Sequence, residues 1–238
     1  MSKSIHYLFD VDGTLTQPRE KMESSFTMSF LEWIEGKSVF LVSGSDVKKI
    51  KQQIPHSIIS RCSGISCSMG NELWLGKELK YKNTFEPPKT LIEMLSSFQV
   101  KTKSPVLGKA PFIEYRTGMI NFTTIGRDSS NEQRLAYYNW DKDHKERIRI
   151  SDQIEKTFPD LEAKLGGQIS VDIQPKGRNK SQVSKWVRKN LSGKIIFFGD
   201  KCTPEGNDYD IYVDVKKNGG ESYSVKSPLD TLKLLEKN

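Results

Sequence analysis

The chain of 238 residues has little of what staples or anchors a protein. It has three cysteines, Cys62, Cys67 and Cys202, an odd count with no Cys-x-x-Cys pair, which argues against a disulfide framework and a zinc site. The histidines His6, His56 and His144 show no metal-ligand spacing and read as surface or internally satisfied groups. No apolar run is long enough to span a bilayer, and the N-terminus has no charged-then-apolar leader. The expectation is therefore a cytoplasmic, reduced protein with no membrane partner. No repeat or low-complexity tract appears, and no nucleic-acid motif accompanies the basic residues. Those residues are dispersed apart from short clusters at Lys48, Lys49 and Lys51 and at Lys176, Arg178 and Lys180. The balance of 37 basic against 30 acidic side chains, net +7, still favours anionic partners. Phosphorylated metabolites are the expected class, without nucleic acid. Apolar content of 35% and the chain length suit one or two globular domains with a sizeable core.

What is present is organised around one stretch. Ile5–Phe9 is an apolar run of strand length that ends in Asp10-Val11-Asp12-Gly13-Thr14. Two acids at the mouth of a buried strand repel each other, and desolvation raises that cost. A bound Mg²⁺ removes the conflict, since it takes hard oxygen ligands and often one or two carboxylates plus phosphate oxygens. One aspartate can then attack phosphorus while the other moves a proton. The plainer alternative is an Asp-rich loop capping a helix. The five residues resemble the DxDGT nucleophile signature of the haloacid dehalogenase superfamily. That resemblance implies Asp10 as nucleophile and Asp12 as general acid/base.

Further along, Pro18-Arg19-Glu20-Lys21 is expected to open a helix reaching Glu35, with Phe26, Phe30, Leu31 and Ile34 as its apolar stripe. Val39–Val42 reads as a second buried strand that ends in Ser43-Gly44-Ser45-Asp46. A hydroxyl at a strand's carboxyl end, followed by glycine and a helix, makes a ready anion site, and Ser45 or Asp46 can cap that helix. Ser43 stands where the superfamily places the hydroxyl that bonds the transferring phosphoryl group. A helix near Val47–Ile54, a strand near Ile58–Ser66 and a hairpin Glu72–Leu75/Glu78–Tyr81 follow. Pro87-Pro88 then marks a helix start.

Over residues 83–177 the pattern changes. A hairpin Phe112–Arg116/Met119–Thr124, helices Asn131–Asp141 and Lys145–Phe158, and strands Asp160–Leu165 and Gln168–Ile173 suggest an α+β insertion. Residues 1–82 and 178–238 would form the doubly wound, Rossmann-like α/β core around it. Arg116, Arg127 and Arg134 fall on a strand, a loop and an early helical turn, while Ser170 and Asp172 alternate onto one strand face. Arginine's planar fork grips phosphate oxygens bidentately, and a hydroxyl and a carboxylate suit sugar hydroxyls.

The chain then returns to the core with a helix starting at Lys180, a point charge in the place of the superfamily's third motif. The strand Lys194–Phe198 ends in Gly199-Asp200-Lys201, with Asn207-Asp208 a loop later, which completes a Mg²⁺ site of the superfamily type. Ile211–Val213 and Tyr223–Val225 read as short closing strands. A last helix, Ser227–Leu235, has Ser227 as its cap and Pro228 at its first position.

With these motifs in place the chain resembles the eukaryotic-type (α-class) phosphomannomutases over nearly its whole length. The resemblance rests on Phe9–Glu20, Phe112–Arg134, Gly166–Asp172 and Phe197–Asp208. It implies that Arg19, Arg116, Arg127, Arg134, Ser170 and Asp172 bind the sugar phosphate, and that Asp10, the backbone of Asp12, and Asp200 hold Mg²⁺. It also implies a second cation loop near Tyr212, Asp214 and Lys217, that the α+β insertion of residues 83–177 is a cap domain, and a homodimer through this cap that involves Phe112. The stretch Ser68-Met69-Gly70-Asn71 departs from the family's Pro-Glu-Asn-Gly. The expected activity is interconversion of mannose 6-phosphate and mannose 1-phosphate, with a hexose 1,6-bisphosphate as activator. A Mg²⁺-dependent sugar phosphatase uses the same core residues, and a non-catalytic anion binder is the third alternative.

Overall fold

The computed structural model describes residues 4–236. In chain order the elements begin with β1 (Ile5–Asp10), α1 (Ser24–Trp33), β2 (Ser38–Val42), α2 (Val47–Gln53), the single turn α3 (His56–Ile59) and β3 (Gly64–Cys67). The hairpin β4 (Glu72–Leu75) and β5 (Glu78–Lys82) is followed by α4 (Lys89–Lys101), β6 (Ile113–Arg116) and β7 (Met119–Phe122). Next come α5 (Asn131–His144), α6 (Glu146–Thr157), β8 (Leu161–Gly166) and β9 (Ser170–Pro175). The chain ends with α7 (Ser181–Asn190), β10 (Lys194–Gly199), α8 (Tyr209–Lys217), β11 (Glu221–Ser224) and α9 (Pro228–Leu235). Two compact units result, one from both ends of the chain, up to Asn83 and from Arg178 on, and one from Thr84–Gly177.

The first unit is built on a seven-stranded sheet of order β11-β10-β1-β2-β3-β4-β5, parallel from β11 to β3 and closed by the antiparallel hairpin. Its central strands are apolar over Tyr7–Phe9, Val39–Val42 and Ile195–Phe198, because both faces are covered there. Tyr7, Phe9, Val39, Leu41, Ile196 and Phe198 face a core shared with Phe26 and Phe30 of α1 and Leu235 of α9. The alternate residues Leu8, Phe40, Val42, Ile195 and Phe197 face Val183 and Val187 of α7 and Ile211 and Val215 of α8. This is the doubly wound α/β core. Asp10 pairs in register with Val42, and Phe9 with Phe198, so the loops after β1, β2 and β10 emerge side by side at the strands' carboxyl ends.

Three expectations for this unit need correction. Pro18–Lys21 does not open a helix, since α1 begins at Ser24. Arg19 has φ 68°, left-handed backbone that cannot continue an α-helix, and its N–H donates to Asp12 Oδ1 at 2.7 Å. The expected strand Ile58–Ser66 is the turn α3 followed by the shorter β3. Ile211–Val213 belongs to α8, where Ile211 and Val215 stand four residues apart and both point inward, a helical spacing. The cap of α9 is as expected: Ser227 Oγ accepts from the Asp230 N–H, with Pro228 in the first turn.

The second unit has a four-stranded antiparallel sheet of order β6-β7-β9-β8. Leu91 and Leu95 of α4 and Ile150 and Ile154 of α6 pack with Ile120, Phe122, Val171, Ile173, Leu161 and Ala163, and Phe112 adds to the same cluster. The strand alternation therefore sends the intervening residues to the other face. There Glu114, Asn121, Asp172 and Lys164 lie in register across the four strands.

Candidate active site

The centre of the first unit is a buried charge cluster. Asp10 ends β1, and its Oδ1 accepts from Lys180 Nζ at 2.6 Å. The same ammonium donates to Asp208 Oδ1 at 2.7 Å. Asp10, Lys180 and Asp208 are each 3% exposed or less, so water screens these contacts weakly. Burial, and then the Asp208 carboxylate, push Asp10 well above the usual carboxylate range against the pull of Lys180. Burial works against the charge of Lys180, but Asp10 and Asp208 outweigh it and hold its pKa above the usual lysine value. Asp200 is also raised, first by burial, and its carboxylate is paired with Lys201 at 2.9 Å.

One oxygen each from Asp10, Asp200 and Asp208 falls within 4.8 Å of the others, the one such group among the described residues. Three carboxylates face two ammonium groups, so the cluster carries excess negative charge in a low-dielectric site. An all-oxygen donor set of that kind fits a hard divalent cation. Close approach is built into the backbone. Gly13 has φ +87°, and a Cβ there would meet Asp200 Oδ2 at 2.5 Å. Asp208 also organises the β10 loop, because its Oδ2 accepts the N–H groups of Asp200 at 3.1 Å and Lys201 at 3.0 Å.

Asp12 stands at the edge of this cluster, with Oδ1 accepting from the Arg19 N–H and from Gln53 Nε2 at 2.8 Å. Arg19 itself is exposed. Ser43 is 1% exposed at the end of β2, and its Oγ accepts the Ser45 N–H at 3.0 Å. Its hydroxyl hydrogen is thereby left to donate. Asp46, not Ser45, caps α2 through the Lys49 N–H.

The departing stretch Ser68–Asn71 lies beside these residues. Ser68, Met69 and Gly70 all have positive φ, an uncommon run of left-handed backbone. The Met69 N–H donates to the Ser43 carbonyl and the Ser68 N–H to the Ser45 carbonyl. On the other side, Asn71 Nδ2 donates to the Arg178 carbonyl at 3.4 Å, and a Cβ on Gly70 would meet the Asn179 carbonyl oxygen at 2.6 Å. The turn therefore joins the loop of Ser43 to the segment that carries Lys180.

Tyr212 and Asp214, the expected second cation loop, lie on α8. The Asp214 carboxylate accepts from Arg188 at 2.7 and 2.9 Å and from Ser184 at 2.5 Å, and the Tyr212 carbonyl accepts from Ser222 Oγ. A guanidinium thus holds the carboxylate that a cation would need.

On the polar sheet face of the second unit, four of the six expected substrate residues come together: Arg116, Arg127, Ser170 and Asp172. Glu114 Oε2 contacts Arg116 Nη2 and Arg127 Nη2, each at 2.6 Å. Arg127 Nη1 donates to Ser170 Oγ at 3.0 Å and to Asn121 Oδ1. Asn121 Nδ2 donates in turn to Asp172 Oδ1 at 2.6 Å. Arg134 is buried, and its Nε donates to the Ser129 carbonyl at 2.9 Å and its Nη2 to the Arg127 carbonyl. It braces the loop of Arg127. Glu114, Asn121 and Gln53 were not singled out from sequence. Each acts through a partner brought near by folding, as with Asn121 and Asp172, 51 positions apart.

Comparison with known proteins agrees with this picture. Residues 28–238 match the eukaryotic phosphomannomutase family. That stretch begins after the Asp10–Thr14 loop, so the aspartate signature is a separate observation. A phosphomannomutase of Saccharomyces cerevisiae is 34% identical, over 96% of this chain and 91% of the relative. One of Drosophila melanogaster is 33% identical, over 96% and 92%. Among solved structures, a haloacid dehalogenase-like hydrolase from Bacteroides thetaiotaomicron superposes with TM-score 0.60 at 13% identity, covering 99% of each chain. An IMP-nucleotidase of Plasmodium falciparum gives TM-score 0.64 at 16% identity, over 99% of this chain and 68% of that one. These structural likenesses speak for the fold. The sequence matches and the fold agree, and the chain belongs to the eukaryotic phosphomannomutase family.

Proposed function

We propose that this protein interconverts mannose 6-phosphate and mannose 1-phosphate through a phosphoaspartyl enzyme, primed by a hexose 1,6-bisphosphate. The observation that carries the reading is the buried Asp10–Lys180 pair at 2.6 Å within the acidic cluster. Mg²⁺ on Asp10, Asp200 and the backbone of Asp12 would offset the cluster's excess negative charge and draw charge from a phosphate.

Asp10 supplies the nucleophilic oxygen. It forms a bond to phosphorus as the bond from phosphorus to a sugar oxygen breaks. Asp12 gives that departing oxygen a proton, and later takes a proton from the hydroxyl that accepts the phosphoryl group back. Ser43 Oγ donates to a phosphate oxygen, and Lys180 provides a fixed positive charge. Arg116 and Arg127 grip the phosphate that is not reacting, while Ser170 and Asp172 meet sugar hydroxyls. Arg19 adds a further cation for the substrate.

The test is product formation from mannose 1-phosphate with Mg²⁺. Mannose 6-phosphate should form faster when a catalytic amount of bisphosphate is added. If inorganic phosphate is the main product at saturating bisphosphate, the protein is a sugar phosphatase. We further infer a homodimer through the second unit, where Tyr115 and Leu107 are exposed apolar side chains, to be checked by light scattering.

A further inference from the structure

On the polar face of the second sheet, the two arginines assigned to the substrate phosphate already share an anion. One oxygen of Glu114 lies 2.6 Å from Arg116 and 2.6 Å from Arg127. The side chains of Arg116 and Arg127 are 7% and 16% exposed, and that of Glu114 is 25% exposed, so this contact is partly shielded from solvent. Asp172 lies 4.0 Å from Arg116 Nη1. Around the fork, two guanidinium groups therefore face two carboxylates, with Lys164 in register beside Asp172. A phosphate that binds Arg116 and Arg127 has to share or replace the contacts of Glu114. The fork does not depend on Glu114 alone for its geometry, because Asn121 and Ser170 hold Arg127 independently.

We propose that Glu114 limits the affinity of this site. Its carboxylate occupies the fork when no substrate is bound and competes with the phosphate when one arrives. The hexose phosphate is then held loosely enough to be released and turned round between the two transfers. This inference rests on the reading of the second unit as the sugar-phosphate site. Tight binding of one orientation would lower the substrate's ground state without speeding the reaction.

The experiment uses the full chain with Asp10→Asn, so that no turnover occurs, and titrates mannose 1-phosphate calorimetrically with and without Glu114→Gln. Glutamine keeps an acceptor oxygen at the same reach and removes the charge. Binding should tighten by about fivefold, equivalent to about 1 kcal/mol. With Asp10 intact, KM and kcat should both fall in Glu114→Gln. Damage to a merely structural residue would weaken binding, the opposite sign. Unchanged or weaker binding overturns the proposal. If the Asp10→Asn protein with Glu114 in place binds no mannose 1-phosphate, the substrate reading fails, and the inference with it. Should Glu114→Gln not fold, Glu114→Asp withdraws the carboxylate by one methylene, and binding must still tighten.

Discussion

Lys180 and Asp10 are 170 positions apart in the sequence, yet their side chains meet at 2.6 Å with almost no solvent exposure. The ammonium also meets Asp208, so one lysine offsets two buried carboxylates. Lys180→Met would leave both without the ammonium that contacts them. A stability loss of about 3–5 kcal/mol is expected, read as a lower denaturant midpoint in metal-free buffer. A variant as stable as the parent would remove the pair from its central place. Asp10→Asn removes charge and not volume, and it should abolish turnover while circular dichroism stays unchanged.

The raised pKa values of Asp10 and Asp200 make stability depend on pH and metal. Both groups bind protons more tightly in the folded protein than in the unfolded chain. Their contribution is therefore greatest below the unfolded value of about 3.9 and is lost as pH rises through the raised values. Mg²⁺ favours the charged carboxylates, so the gain in Tm on adding MgCl₂ should be larger at about pH 8 than at about pH 5. A gain that is equal at both, or larger in acid, contradicts a metal site on these carboxylates.

The three cap arginines should separate by variant. Arg116→Ala and Arg127→Ala should weaken mannose 1-phosphate binding by roughly 1.5–3 kcal/mol each, the range for a lost charged hydrogen bond. Arg134→Ala should also lower the melting temperature, because its guanidinium holds the carbonyls of Ser129 and Arg127. If Arg134→Ala weakens binding with no change in stability, it contacts the ligand directly instead.

Much of the core was legible because its chemistry is local. An apolar run followed by two acids, a strand ending in Ser43 and another ending in Asp200 each announce a strand and its loop. What stayed hidden was non-local or conformational. Pro18 invited a helix start, but the left-handed Arg19, tied to Asp12, excludes it. Ile211–Val213 looks like a strand by residue type, yet only Ile211 and Val215 point inward, and that is a helical pattern. Glu114 carried no signal of its own. Its role appears only when β6 and the loop after β7 bring Arg116 and Arg127 to one of its oxygens.

Asn71 tests whether the left-handed turn positions the reacting groups. It is fully buried, donates to the Ser68 carbonyl at 2.9 Å and accepts from Asn83 at 3.0 Å. Asn71→Ala should cost about 1–3 kcal/mol of stability through the unsatisfied groups it leaves. It should also lower kcat more than it raises KM, because Ser43 and Lys180 lose their common support. A stability loss with kcat intact would make the turn merely structural.

The central claim is a phosphoryl group carried by Asp10 from one sugar to the other. The most direct measurement supplies a hexose 1,6-bisphosphate labelled in one phosphate, with Mg²⁺ and excess mannose 1-phosphate, and follows the label. Transfer through Asp10 predicts label in hexose phosphates and, on quenching, on the peptide that carries Asp10, with neither in Asp10→Asn. Label that collects in inorganic phosphate, or reaches sugar equally well in Asp10→Asn, would contradict it.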